Sequence, residues 1–227
     1  MMIRMMKPIL CLCLSLFVGM QAFAHEVELR SPDGKLCVTV DDTDGNPTYR
    51  VDYDGVAFLN KSPLGLDTNI GDFTRGLTLT GVSEPTTLDE TYELKTIKNS
   101  RPHYVANVQT YTFSKEGTPV CDVVFQVSNR DVAFKYRVLR RGETVVNREA
   151  TGFAFPVGTT TFLCPEMGPM TGFARTAPSY ETHYTPDDTM GKNGWGNGYT
   201  FPGLFRNGDR GWVLLSETGV TSAYCGS

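Results

Sequence analysis

The stretch Cys121-Asp-Val-Val-Phe-Gln-Val127 decides the fold, together with Tyr104-Val-Ala-Asn-Val-Gln-Thr-Tyr-Thr-Phe113 before it and Val132-Ala-Phe-Lys-Tyr-Arg-Val138 after it. In each segment apolar residues alternate with polar ones, and most of the apolar residues are β-branched or aromatic. Alternation with a period of two puts the apolar side chains on one face of an extended chain. The stretch therefore predicts three consecutive strands, each buried on one face.

The same pattern occurs earlier in the chain, at Lys35-Leu-Cys-Val-Thr-Val-Asp41 and Thr48-Tyr-Arg-Val-Asp-Tyr53. Turn clusters rich in glycine, proline, asparagine and aspartate separate the strands, for example Ser31-Pro-Asp-Gly34 and Asp44-Gly-Asn-Pro47. No segment has the pattern of an amphipathic helix. Five or more short strands at about ten-residue spacing predict an all-β fold, an antiparallel β-sandwich.

The N-terminal segment has the pattern of a secretory signal peptide, which we assign to residues 1–24. Arg4 and Lys7 precede an apolar run from Pro8 to Met20, and Ala22-Phe-Ala24 is a small-x-small cleavage site. The alternatives are a buried N-terminal helix or a lipidated cysteine. We expect one domain over residues 25–227, exported to the periplasm or the extracellular space.

The composition argues against two classes of partner. The formal net charge of the whole chain is −4, and loss of Arg4 and Lys7 with the leader makes the mature chain more acidic. An acidic protein is poorly suited to nucleic acid or to an anionic membrane surface. We therefore predict no nucleic-acid partner and no membrane partner.

Four cysteines follow the leader: Cys37, Cys121, Cys164 and Cys225. Their long spacings do not fit a zinc site. An exported protein can form disulfides, and four cysteines allow three complete pairings. The other interpretation, equally weighted, is that several of them are buried apolar residues.

Residues 164–210 are rich in glycine, proline, aromatic residues and asparagine, and they show little alternation. A segment of this length without regular structure is often functional. We take Trp195 and Tyr199 as candidate sugar-contacting residues, because an aromatic ring suits the apolar face of a sugar. The alternative is a loop that packs on its own sheet or on a partner domain. Glu181, in Ser179-Tyr-Glu181, is a candidate metal ligand, and no residue is assigned as catalytic.

Several motifs in the right order resemble the N-terminal domain of glycoside hydrolase family 97, over nearly all of residues 26–227. The motifs are Ser31-Pro-Asp-Gly-Lys35, Ser62-Pro-Leu-Gly-Leu66, Asp131-Val-Ala-Phe-Lys-Tyr136, Pro169-Met-Thr-Gly-Phe173, Pro178-Ser-Tyr-Glu-Thr-His-Tyr-Thr185, Gly198-Tyr-Thr-Phe-Pro-Gly-Leu-Phe205, Gly211-Trp-Val-Leu-Leu-Ser-Glu-Thr-Gly-Val220 and Tyr224-Cys-Gly-Ser227.

The resemblance implies an exported α-glucosidase or α-galactosidase that acts on α-linked oligosaccharides. It also implies an N-terminal β-super-sandwich similar to galactose mutarotase, joined to a catalytic (β/α)8 barrel that carries the catalytic carboxylates. It implies calcium near the sugar, held mainly by the barrel, with Glu181 as the matching N-terminal ligand and Glu217 as a weaker candidate. One carboxylate supplies few of the six to eight oxygens that calcium takes.

Three functions remain open at this point. In the first, the chain is a truncated, inactive part of such an enzyme, which binds carbohydrate and completes the active site of the barrel. Alternatively it is an independent sugar-binding module, or a purely structural domain or orphan fragment that never contacts sugar. An isolated domain of this kind is expected to self-associate, because it exposes the surface that packs on the barrel.

Overall fold

The computed structural model describes residues 26–96, 98–165, 185–190, 198–219 and 221, and this part of the chain contains strands and turns but no helix. The strands are β1 (Glu26–Arg30), β2 (Leu36–Asp41), β3 (Thr48–Tyr53), β4 (Val56–Pro63), β5 (Leu66–Thr68), β6 (Gly71–Phe73), β7 (Thr78–Val82), β8 (Thr86–Thr91), β9 (His103–Lys115), β10 (Thr118–Ser128), β11 (Val132–Val138), β12 (Val146–Glu149), β13 (Thr160–Pro165), β14 (Asp188–Thr189), β15 (Tyr199–Arg206) and β16 (Trp212–Leu215). The predicted all-β, antiparallel fold is confirmed.

These strands form four antiparallel sheets. The first has the order β1-β2-β3-β4, and the second has the order β11-β10-β9-β7, with β8 also paired to β9. The third, small sheet has the order β12-β5-β6, and the fourth has the order β14-β13-β15-β16. The five strands predicted from alternation correspond to β2, β3, β9, β10 and β11.

The core lies between the first and second sheets. It is an aromatic cluster around Phe125, whose ring centroid lies 5.8 Å from Tyr49, 5.8 Å from Tyr111 and 5.2 Å from Phe134. Tyr49 belongs to the first sheet, while the other three rings belong to the second. The alternating residues of β9, β10 and β11 thus place their apolar face against the first sheet, as the sequence pattern predicts.

Strand β2 differs from the predicted pattern, because every one of its residues is buried. On the face away from the core it carries Cys37, Thr39 and Asp41, which lie in register between β1 and β3. The neighbouring strands place Arg30 beside Cys37 and Arg50 beside Thr39 on this face. The sequence shows that Thr39 and Asp41 are polar, but it does not show that neighbouring strands bury them.

A half-buried tyrosine joins the third sheet to the core. The Tyr136 hydroxyl accepts a hydrogen bond from the Gly65 amide at 2.9 Å and lies 2.6 Å from the Thr151 hydroxyl. Burial raises the pKa of this phenol far above its ordinary value. The hydroxyl therefore stays protonated and fixes the turn between β4 and β5 relative to β11.

Two of the buried cysteines are free thiols: Cys121 lies within the core, and Cys37 lies on the face of β2 away from it. Cys37 and Cys121 are buried, and burial raises the pKa of Cys121 to about 11, with a further contribution from the Asp122 charge. Cys164 is also buried. The buried-residue interpretation therefore holds for Cys37 and Cys121, whereas Cys225 lies outside the described residues.

The acidic turn after β2 has a structural role. Asp41 accepts hydrogen bonds from the Thr43 amide and from Lys61, and the Asp42 carboxylate accepts one from the Leu79 amide at 2.6 Å. The turn predicted at Asp44-Gly-Asn-Pro47 lies in this segment between β2 and β3. Over the described residues, no helix is long and apolar enough to cross a membrane.

Candidate functional site

The fourth sheet turns one face toward solvent, and the register defines that face. Thr160, Arg206 and Trp212 lie side by side across β13, β15 and β16. Two residues along each strand, Phe162, Leu204 and Leu214 lie side by side in the same way. We call these six residues the outer face of the fourth sheet.

The outer face of the fourth sheet is largely apolar and exposed. Trp212 is 55% exposed and Leu214 is 63% exposed, and Phe162 is exposed as well. These side chains form neighbouring positions of one sheet rather than scattered surface residues. Contiguous exposed apolar area of this kind marks a surface that contacts another molecule or domain.

The opposite face of the same sheet packs on the rest of the domain. Phe205 stacks on Phe155 with a centroid distance of 4.1 Å and an interplanar angle of 15°. The Asn207 side chain donates a hydrogen bond to the Ala57 carbonyl at 3.0 Å. At Gly203 a β-carbon would lie only 3.0 Å from the Leu163 side chain, so glycine permits this close packing. The sheet is therefore held with its outer face directed away from the core.

A charged cluster borders the apolar face. The Arg206 guanidinium donates to both carboxylate oxygens of Asp187, at 3.2 and 3.1 Å, and lies 5.6 Å from the centre of the Trp212 ring. The Thr160 hydroxyl also donates to Asp187, at 2.9 Å. Thr160 and Arg206 lower the pKa of the Asp187 carboxyl below its ordinary value. The ion pair thus keeps the guanidinium against the indole.

This cluster predicts that the fluorescence of Trp212 changes as the pH falls into the acid range. Because the pKa of Asp187 is lower in the folded protein, the ion pair persists above the ordinary carboxyl pKa of 3.8 and is lost as the pH falls through the lower, folded value. With Trp195→Phe as background, the fluorescence of Trp212 should therefore change with a midpoint below 3.8. Asp187→Asn should abolish this transition.

Asp209 offers a matched control, since its carboxylate lies 3.5 Å from the same guanidinium but is fully exposed. Asp209→Asn should leave the acid transition of Trp212 in place. An unchanged midpoint in Asp187→Asn would show that the indole does not report on this pair.

Tyr199 is the candidate sugar-contacting residue that lies within the described part of the chain. It begins β15, opposite Pro165 of β13, and is half-buried. Desolvation is the main cause that raises the pKa of its phenol, and the charge of Asp188 is the second. Glu181 and Trp195 lie outside the described residues, so their predicted roles remain predictions.

The prediction of an irregular segment over residues 164–210 is wrong for its C-terminal part. Residues 199–206 form β15, which pairs with both β13 and β16. Pro202, Gly203 and a register shift in the pairing with β13 interrupt the alternation that sequence patterns detect. Pairing with β13 resumes on each side of the shift, and pairing with β16 begins at Gly203, so the segment is still a strand.

The sequence also did not single out Asp187, Arg206, Trp212 or Leu214. The run Trp212-Val-Leu-Leu215 has no polar face, so its pattern does not show which side is exposed. Their pairing depends on contacts between strands that are far apart in the chain.

The described residues contain no group of three or more His, Cys, Asp or Glu side chains placed to hold a metal ion. Glu217 is half-buried just after β16. A calcium ion takes six to eight oxygen ligands. This part of the chain does not provide such a set, so a calcium site would need ligands from elsewhere.

Comparison with known proteins points to one family. The family model described as "Glycosyl-hydrolase 97 N-terminal" matches residues 29–227. A probable retaining alpha-galactosidase of Streptomyces bingchenggensis (strain BCW-1) is 34% identical over 125 residues, which cover 55% of this chain and 19% of that protein.

Solved structures agree with this match. A beta-arabinopyranosidase has a TM-score of 0.83 at 48% identity, over 88% of this chain and 32% of that one. A glycoside hydrolase family 97 enzyme from Pseudoalteromonas sp. strain K8, in complex with acarbose, has a TM-score of 0.64 at 19% identity, over 81% of this chain and 27% of that one. The latter likeness shows the fold alone. The chain therefore spans about a third or less of the length of these relatives.

Proposed function

The chain belongs to the glycosyl-hydrolase 97 N-terminal family, and from that premise we propose that it serves as the carbohydrate-binding N-terminal domain of an exported glycosidase. It packs against a catalytic (β/α)8 barrel through the outer face of the fourth sheet and completes the active site of that barrel. The proposed leader at residues 1–24 directs the protein to the periplasm or the extracellular space.

The observation that carries the proposal is the outer face of the fourth sheet. Trp212 and Leu214 are each more than half exposed, although the other face of their sheet packs on the domain. Strand β16 ends the strand order, so none of the described strands pairs with its second edge. An apolar surface beside an open strand edge is typical of a face that a further domain covers.

One candidate sugar-contacting residue, Tyr199, belongs to the same sheet. Tyr199 begins β15, and Trp195 lies in the connection between β14 and β15. A domain docked on the outer face would therefore cover the sheet to which Tyr199 belongs. This favours contact with a sugar shared between the two domains over an independent binding module.

The relatives narrow the proposed sugar. One is described as an alpha-galactosidase and another as a beta-arabinopyranosidase. A β-L-arabinopyranoside has the ring configuration of an α-D-galactoside and lacks only its hydroxymethyl group. We therefore place the substrate of the complete enzyme among α-galactosides and β-L-arabinopyranosides, ahead of the α-glucosides.

Glu181 would add one oxygen ligand to a calcium ion held mainly by the barrel.

The proposal is tested by calorimetric titration of the chain with galactosides, arabinopyranosides and maltose-type sugars, with and without calcium, beside a chromogenic glycoside assay. We expect weak sugar binding without turnover. Trp195→Ala and Tyr199→Ala should each weaken binding by about tenfold, because each removes an aromatic platform.

Tyr92→Ala is the matched control, since Tyr92 is exposed and follows β8 at the far end of the second sheet. It should leave the affinity unchanged. Unchanged affinity in Trp195→Ala and Tyr199→Ala would favour the purely structural alternative, and turnover by the chain alone would contradict the proposal.

A further inference from the structure

Strand β16 pairs with β15 along one edge, and we call its opposite edge the free edge of β16. The Asn207 amide donates a hydrogen bond to the Gly211 carbonyl at 2.9 Å, so these residues form a hydrogen-bonded pair at the turn between the two strands. Hydrogen-bonded and non-hydrogen-bonded pairs alternate along an antiparallel ladder. The backbone groups of Val213 and Leu215 therefore point to β15 and bond to it.

The backbone groups of Trp212 and Leu214 point the other way, toward the free edge. Within the part of the chain that the structure describes, these N–H and C=O groups make no hydrogen bond. Both side chains are exposed as well, so no side chain covers this edge on its solvent side. A row of unpaired backbone groups is a template for pairing with another strand.

The free edge of β16 also lacks the features that normally prevent such pairing. Proteins protect edge strands with charged residues, prolines or bulges. Among the other edge strands of the described sheets, β1, β4, β6, β8, β11, β12 and β14 each carry a charged residue. Strand β7 carries none, but its register shifts at Gly81. Strand β16 contains only Trp-Val-Leu-Leu and pairs without a shift.

The sequence of β16 is complementary to itself. If two copies meet about a two-fold axis through Val213, Trp212 of each copy lies opposite Leu214 of the other. Both of these residues direct their backbone groups to the free edge, so the two pairs form four hydrogen bonds. Each pair also places an aromatic side chain beside an aliphatic one, which is a favourable cross-strand combination.

We propose that two copies of this chain pair antiparallel through the free edge of β16, and that the fourth sheet thereby continues from one copy into the other. The contact is isologous, because the same strand is used on both sides. It joins the two outer faces of the fourth sheet into one apolar surface. The inference concerns the edge of this sheet and does not depend on the proposed carbohydrate-binding role.

The first test is hydrogen exchange of the isotopically labelled chain at low and high protein concentration. A small edge contact is a weak interface, and we expect a dissociation constant of about 0.1 mM. The amides of Trp212 and Leu214 should exchange rapidly well below this concentration and slowly well above it. The amide of Val213 should be protected at both concentrations, because it bonds to β15.

The second test is cross-linking by a cysteine at the two-fold axis. In the proposed register the two copies of residue 213 form a non-hydrogen-bonded pair with Cα atoms about 4.5 Å apart, which a disulfide can span. In a Cys225→Ser background, Val213→Cys should therefore form a covalent dimer under mild oxidation. Leu215→Cys is the matched control, since Val213 and Leu215 share a face and are both half-buried. The two residues 215 would lie roughly 13 Å apart and should not cross-link.

The third test separates the edge from the outer face of the fourth sheet. Leu214→Ala removes only side-chain contacts and should weaken association by up to about thirtyfold. Leu214→Pro removes the side chain and also the N–H that points to the free edge, so it should weaken association at least about tenfold further. Equal melting temperatures and a protected Val213 amide would show that both variants remain folded.

Three results would overturn the proposal. In the first, Trp212 and Leu214 are protected at every concentration, so the chain itself covers the edge. In the second, the chain associates, but Val213→Cys cross-links no better than Leu215→Cys and the two Leu214 variants associate equally. The copies then meet through their outer faces alone. In the third, the chain stays monomeric well above 0.1 mM. The proposed carbohydrate-binding role is decided separately, by the sugar titration of the Trp195 and Tyr199 variants.

Discussion

Phe125→Ala is expected to lower the free energy of unfolding by about 3–5 kcal/mol, which is the usual cost of removing a large aromatic side chain from a packed core. Phe125 is fully buried and contacts rings of both sheets of the sandwich. Truncation removes these contacts and leaves a cavity. The surrounding strands cannot move together to fill that cavity, because the hydrogen bonds between strands set their spacing.

The measurement is chemical denaturation of the chain and its variants, followed by circular dichroism. Phe162→Ala is the matched control, because Phe162 is an exposed phenylalanine on another sheet. Its replacement should change the free energy of unfolding by less than about 1 kcal/mol. If Phe125→Ala cost no more than Phe162→Ala, the core would not lie between the first and second sheets as described.

The double variant Trp212→Ser with Leu214→Ser is expected to remove self-association of the chain. The exposed outer face of the fourth sheet should bring copies of the chain together when nothing else covers it. A tryptophan that anchors an interface commonly contributes about 2 kcal/mol or more, which is about thirtyfold in a dissociation constant. The same substitutions should prevent docking of the domain on a catalytic barrel.

Sedimentation velocity over a range of protein concentrations measures this effect. We expect concentration-dependent association for the unmodified chain and a monomer for the double variant. Val145→Ser with Val146→Ser is the control, since both valines are about half exposed but lie at the third sheet. A chain that is monomeric at all concentrations would contradict the assignment of the outer face as a docking surface.

Loss of binding to a barrel domain should accompany the loss of self-association. When a separate barrel domain of the same family is supplied, the unmodified chain should bind it and the double variant should not. That result would distinguish docking from nonspecific adhesion, because nonspecific adhesion would not depend on the identity of the added domain.

The strands around Phe125 could be predicted from sequence alone, since their alternation is local. Asp131–Tyr136 and the other family motifs also identify the family from the sequence alone. Strand β15 could not be predicted in this way. Pro202 and Gly203 interrupt its pattern, and only its partners β13 and β16 complete its hydrogen bonds.

By itself, the sequence determined the all-β class, the turn positions and the family, because these depend on residue types and spacings along the chain. Tertiary structure decided which face of each strand is covered. It buries every residue of β2, the polar ones included, and leaves Trp212 exposed on a sheet whose other face is packed. Burial depends on side chains from distant parts of the chain, and the pattern of one strand does not record its neighbours.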